Sequence, residues 1–215
     1  MSIIKKNTDA FLIVSRFNEN VDWISKVTED YLIYNKGNSL PGMKEKLAPN
    51  FGGNQYDIFS YIFDNYDSLP PLMAFVQGNP FDHCLEDRFY SLIKNNSFTS
   101  LFGDINYPDG RYSESNDNWY IHPTKMTKNV GCIFGSFDEY MNSIFSDYSG
   151  IDNIEFPPGS QIIVERERCT YYSKEFWYNL MNIIPKEIGI NGGAEAHIIE
   201  RSIQIIFENK YKEKN

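Results

Sequence analysis

Apolar residues along this chain fall into two rhythms: short unbroken runs, and one-sided spacings of three and four. The runs are Ala10-Phe11-Leu12-Ile13-Val14, Tyr31-Leu32-Ile33-Tyr34, Leu72-Met73-Ala74-Phe75-Val76 and the shorter Gln161-Ile162-Ile163-Val164. A strand with one wet face alternates, so an unbroken run predicts a strand covered on both faces, as in a parallel sheet. Between the second and third runs, Ile58, Phe59, Ile62, Phe63 and Tyr66 share one face of a helix predicted over residues 54–66, opened by Gly52-Gly53 and ended by Leu69-Pro70-Pro71. Strand, helix and strand in this order form a βαβ unit, whose strands must run parallel.

Further helices are predicted over residues 83–94, with Leu85, Phe89 and Leu92 inward, and over 137–148, where Ser136 and Glu139 match a capping box. Ser173 caps another through Asn182, stopped by Pro185, and a last one spans 194–209 before a charged tail, 210–215, predicted to fray. Residues 21–27 read as a short helical turn around Trp23 and Ile24, residues 39–53 as a long loop, and 95–128 as irregular. The expected fold class is α/β: a single domain over 1–215 with a mostly parallel central sheet flanked by helices.

Composition narrows the function classes. A chain of 215 residues with 41% hydrophobic and 16% aromatic content can fill a core without disulfides. Its formal charge of −9 offers no basic face, which argues against nucleic acid as a partner. A small phosphate ligand remains compatible, because backbone amides at a helix start attract anions locally. Cys84, Cys132 and Cys169 are scattered, with no C-x-x-C pair, and read as reduced thiols. The apolar stretch after Lys5 and Lys6 is too short for a signal-peptide core or a transmembrane segment, so the expected location is cytoplasmic.

In open α/β sheets ligands bind beyond the carboxyl ends of the strands, near a reversal of strand order. That rule selects the polar loops 15–20, 35–37 and 77–83, although surface loops are polar in any case. A second constellation is Gly192-Gly193-Ala194-Glu195-Ala196-His197, continuing to Glu200 and Arg201. Two glycines before a helix let its free amides approach a diphosphate, and His197 and Glu200 share a helix face at a spacing that can serve one metal. Glu195 near the helix start could act as a general base; the alternative is an amphipathic helix with Ile198, Ile199, Ile203 and Ile206 inward. Asp82 and His83 could hold a metal or a sugar hydroxyl, or Asp82 could cap the following helix. Trp119, Tyr120 and His122 could wall an acceptor sugar or serve the core. The chain has no G-x-S-x-G, Walker or G-x-G-x-x-G motif.

Four stretches, LIVSRFNENVDWI (12–24), NYDSLPPLMAFVQGNPFDH (65–83), FPPGSQIIVERERC (156–169) and GGAEAHIIERSIQIIF (192–207), resemble domain-of-unknown-function family 3431, found in fungal proteins and in bacterial proteins linked to surface polysaccharides. More distantly, a strand followed by an R-[YF]-N-E loop and βα units over an acidic last helix is similar to the GT-A fold glycosyltransferases. That resemblance implies transfer of a sugar from a nucleotide-sugar donor to a glycan acceptor. Arg16, Asn18 and Glu19 would contact the nucleotide, and Gln77, Gly78 and Asn79 would line the donor sugar or diphosphate. Glu195 would be the base, with Glu200 its substitute, and Gly193 and Arg201 would join the binding set.

The chain departs from the GT-A pattern where an Asp-x-Asp motif would bind Mn²⁺ or Mg²⁺, for it carries Gln77-Gly78-Asn79 there. Either Asp82, His83 or His197 holds the metal, or the diphosphate meets backbone amides, Arg16 and Lys36 without one. Two other readings stand beside the transferase: a non-catalytic carbohydrate-binding or assembly protein, and a metal-dependent hydrolase using His83, His197 and Glu200.

Overall fold

A computed structural model describes residues 7–103, 112–115, 133–184 and 193–214. The first half runs β1 (Phe11–Arg16), β2 (Tyr31–Asn35), β3 (Glu45–Leu47), α1 (Gly53–Asp64), β4 (Leu72–Gln77), α2 (Glu86–Leu92) and β5 (Thr99–Ser100). The second half runs β6 (Tyr112–Ser115), α3 (Phe137–Ile144), β7 (Asn153–Phe156), β8 (Ile162–Glu165), α4 (Arg166–Cys169), α5 (Lys174–Ile183) and α6 (Gly193–Phe207). The main sheet has the order β3-β2-β1-β4-β8-β5, and β6 pairs with β7 apart from it. β1 is parallel to both β2 and β4, and β2 to β3; β8 is antiparallel to β4 and β5. The mostly parallel α/β sheet expected from the apolar runs is therefore present.

The unbroken runs serve two faces at once. Leu12, Val14, Ile33, Ala74 and Val76 pack on one side with Trp23, Ile24 and Phe89. Ile13, Tyr34, Met73 and Phe75 pack on the other with Phe59, Ile62, Trp177 and Ile203. Successive strand side chains point oppositely, so each strand needs apolar residues at every position. The face bearing α1, α5 and α6 carries the larger core, and there Trp177 stacks on Phe207 at 5.5 Å. Among the described residues no helix is long and apolar enough to cross a membrane.

Several expectations need correction. The loop predicted over 39–53 contains β3, a short edge strand whose Leu47 is 83% exposed. Two further strands, β5 and β6, lie in the stretch taken as irregular. α3 stops at Ile144 rather than near Tyr148, because Phe145 turns extended and bridges to Glu213. The tail predicted to fray is tied down as a result. Ser146 N–H donates to Lys212 O at 2.9 Å, Lys214 N–H to Ile144 O at 2.9 Å, and Lys212 N–H to Asp147 Oδ1 at 2.7 Å. Asp82 does not cap α2; the cap position is Leu85, without a side-chain bond, and Asp82 instead accepts from Asn79 Nδ2 at 2.6 Å.

Candidate functional site

Chain direction around β1 fixes where a ligand can enter. From β1 the sheet grows through β2 and β3 to one side, and β4 lies on the other, so strand order reverses between β1 and β4. Loops leaving the two strands diverge there and open a crevice beyond their carboxyl ends. It has a volume of about 210 Å³ and is lined by Ser15, Arg16, Phe17, Glu19, Lys36, Asn50, Gly53, Asn54, Gln77, Gly78, Asn79 and Asp82.

Arg16 holds the walls in place. It is 6% exposed, and its guanidinium donates to Glu19 O, Asn35 Oδ1 and Asn38 O, each at 2.8 Å. One buried cation thus ties the loop after β1 to the loop after β2. Close backbone approach does the rest. A Cβ on Gly37 would lie 1.6 Å from Phe17 O, and one on Gly78 would lie 2.6 Å from Glu19 Oε2. Gly78 is gripped from both sides, since its N–H donates to Ser15 O at 2.7 Å and its carbonyl accepts from Trp23 Nε1 at 2.9 Å. Glu19 Oε2 accepts from Phe17 N–H at 2.7 Å, and Phe17 itself is 48% exposed at the rim.

A buried ion pair lies beside the crevice. Lys36 Nζ sits 2.9 Å from Asp57 Oδ2 on α1, with the two side chains 5% and 1% exposed. Lys36 also donates to Gly53 O, and Ser15 Oγ donates to Asp57 Oδ2. Burial pushes the Asp57 carboxyl up to about 6, against the opposing pull of Lys36 and of the Ser15 hydroxyl. Its other oxygen, Oδ1, is buried without a hydrogen-bond partner among the described residues. The start of α1 adds to the local field: Gly53 and Asn54 line the crevice, and the helix has no side-chain cap.

A tight turn at Pro158–Ser160 closes the crevice's neighbourhood. Gly159 has φ +75°, and a Cβ there would lie 2.6 Å from His83 Cδ2 and 2.9 Å from Gln77 Oε1. Its carbonyl accepts from Asn54 Nδ2, and its N–H donates to Glu200 Oε1 at 2.7 Å. Gln161 bridges Gln77 N–H, at 3.2 Å, to Pro80 O, at 3.1 Å. The middle of α6 therefore reaches the crevice through one peptide unit.

Of the predicted residues, Arg16, Glu19, Lys36, Gln77, Gly78, Asn79 and Asp82 share the lining. Asn18 stands outside it and accepts from Asn38 N–H at 3.0 Å. His83 packs against Gly159, and Glu200 holds that glycine's amide. Glu195 is 2% exposed, does not line the crevice, and accepts from Ile133 N–H at 3.0 Å. Gly193 begins α6, and His197 O accepts from Arg201 Nη1 at 3.1 Å while the Arg201 guanidinium lies over the Phe156 ring at 5.0 Å. Trp119, Tyr120, His122 and Gly192 lie outside the described residues. Among the described residues, no group of three or more His, Cys, Asp or Glu is placed to hold a metal ion.

Sequence reasoning missed Asp57, Asn54 and Phe17. A signal for Asp57 exists: α1 reads GNQYDIFSYIFD, with Asp57 and Asp64 its only charges, too few for a solvated face. Its polar residues Asn54, Gln55, Asp57 and Ser60 are in fact buried.

The polar crevice lies at the switch point of an α/β sheet, the place where open α/β sheets take their ligands. A model for the family of proteins of unknown function DUF3431 matches residues 12–214, and the chain belongs to that family. No curated protein and no solved structure matches it.

Proposed function

We propose that the crevice binds a nucleotide-diphosphate sugar and that the protein transfers the sugar to a glycan acceptor, as a transferase of the GT-A type. The observation that carries this reading is the convergence of Arg16, Glu19, Lys36, Gln77, Gly78 and Asn79, drawn from three separate loops, on one crevice at the strand-order reversal. Phe17 offers an exposed ring on which a nucleobase can stack. The uncapped start of α1 supplies positive field for the diphosphate, the group whose charge grows as the sugar leaves, and Lys36 stands beside it in an ion pair with Asp57.

The crevice donors fit Mn²⁺ or Mg²⁺ poorly, since its carboxylates are Glu19, already bonded to the Phe17 amide, and Asp82, bonded to Asn79. The diphosphate in this reading meets cation and amide rather than metal. With Glu195 and Glu200 holding backbone amides, the base within the lining is Asp82, which is exposed at the rim. Titration calorimetry with UDP, GDP and CMP, with and without Mn²⁺, tests the reading, and no binding to any of them overturns it. A non-catalytic carbohydrate-binding protein is the second reading, favoured by the neutral Gln77-Gly78-Asn79. Asp82→Asn separates the two: a binding module keeps its glycan affinity, whereas the enzyme loses turnover.

A further inference from the structure

We propose that Lys36, Asp57 and Ser15 form the anion-receiving pole of the crevice, where a phosphate takes Lys36 from Asp57 and binding draws one proton from solvent onto Asp57. The inference rests on reading the crevice as a nucleotide-diphosphate site.

The geometry is that of a cation held in waiting. Lys36 lines the crevice, yet its ammonium is engaged by Asp57 Oδ2 at 2.9 Å and by the Gly53 carbonyl. While Asp57 is ionised the pair is neutral, so an incoming anion gains little from Lys36. A phosphate oxygen on Lys36 Nζ would also place a second negative charge beside the buried Asp57 carboxylate. Like charges that close cannot both stay ionised cheaply, and beside the diphosphate diester of a nucleotide-sugar, whose oxygens stay ionised at neutral pH, the carboxylate takes the proton.

Asp57 is ready to be that acid. It is 1% exposed, its Oδ1 accepts no hydrogen bond among the described residues, and burial lifts it to about 6 even against the pull of Lys36 and Ser15. The other groups facing it cannot take its place near neutral pH. Lys46 from β3 is engaged by Asp64 at 2.8 Å. Burial raises the phenols of Tyr34 on β2 and Tyr56 on α1, which stay neutral. Ser15 from β1 only donates its hydroxyl. The exchange balances: a phosphate oxygen replaces Asp57 Oδ2 as acceptor from Lys36, and solvent supplies the proton that neutralises the carboxylate.

Titration of inorganic pyrophosphate into the full chain between about pH 6 and 8, in buffers of different ionisation enthalpy, counts the protons. If the binding-competent form has Asp57 protonated, affinity falls roughly tenfold per pH unit above about 6. Asp57→Asn should lose that dependence, bind roughly tenfold tighter than wild type near pH 7, and take up close to one proton fewer. The ligand's own protonation cancels in that difference. Lys36→Met should lose binding throughout. Equal affinities and equal proton counts in wild type and Asp57→Asn overturn the inference while the diphosphate site stands. Absence of pyrophosphate binding to wild type near pH 6 overturns both. Should Asp57→Asn not fold, the wild-type data suffice: affinity that is independent of pH, once pyrophosphate's own titration is subtracted, refutes the exchange.

Discussion

Gly37→Ala strikes the crevice walls at their tightest point. The new methyl carbon would lie 1.6 Å from the Phe17 carbonyl oxygen and 2.6 Å from the Phe17 carbonyl carbon. An unstrained contact needs ~3.5 Å, so one loop must retreat by roughly 2 Å. No side-chain rotation relieves the clash, because the obstacle is backbone. Either retreat pulls a carbonyl, that of Glu19 or that of Asn38, away from the Arg16 guanidinium, now 2.8 Å from each. Arg16 is 6% exposed, and stripping one carbonyl from a buried charge costs ~2–3 kcal/mol. In a domain of this size each kcal/mol moves Tm by ~2–4 °C, so a fall of roughly 5–10 °C is expected. Urea unfolding followed by circular dichroism measures the loss. A destabilisation under ~1 kcal/mol with an unchanged m value would refute the role given to Arg16 and to the close approach.

Other outcomes follow from the same contacts. The Asp57 carboxyl goes from its ordinary 3.8 to about 6 on folding, so its contribution to stability is present below about pH 4 and lost as pH rises through 6. Urea unfolding of wild type against Asp57→Asn should show a difference that shifts by ~3 kcal/mol in favour of Asn over that window, and a flat difference contradicts it. Glu200→Ala should cost ~2 kcal/mol by orphaning the Gly159 amide, with Glu200→Gln costing less than half as much; equal losses would mean the hydrogen bond is unimportant. Removing residues 212–215 should cost ~2–3 kcal/mol through the hydrogen bonds to the Ile144 and Ser146 backbone and the Asp147 carboxylate, measured by thermal unfolding of the truncated chain. Cys84, its thiol pushed up to about 11 by burial, and the buried Cys169 should resist alkylation until the protein is denatured, as peptide mass mapping would show.

The sequence carried the sheet centre well and its edges badly, for a physical reason. β1, β2 and β4 are buried on both faces, so each must be apolar at every position, and such runs are visible without a structure. β3 is a polar edge strand of Glu45, Lys46 and Leu47, and β5 spans only Thr99 and Ser100; neither is long enough to show a period. Pairing of the tail with Phe145–Ser146 is a long-range event with no local signature. At the site, loops after parallel strands were predictable from topology alone, which is why Arg16, Lys36 and Gln77 were found. Asp57 was not, because its importance depends on Lys36 reaching across from another loop. Glu195 shows the converse: an acid at a helix start suggests chemistry, but its carboxylate is occupied by the Ile133 amide.

Amide chemical-shift mapping with UDP, GDP and CMP tests most directly whether the switch-point crevice is the nucleotide site. The prediction is a contiguous set of shifts in residues 15–19, 36–37, 53–54 and 77–79, abolished by Lys36→Met. Shifts confined to the separate groove around Val21, Tyr31 and Met43, or none at saturating nucleotide, would contradict it.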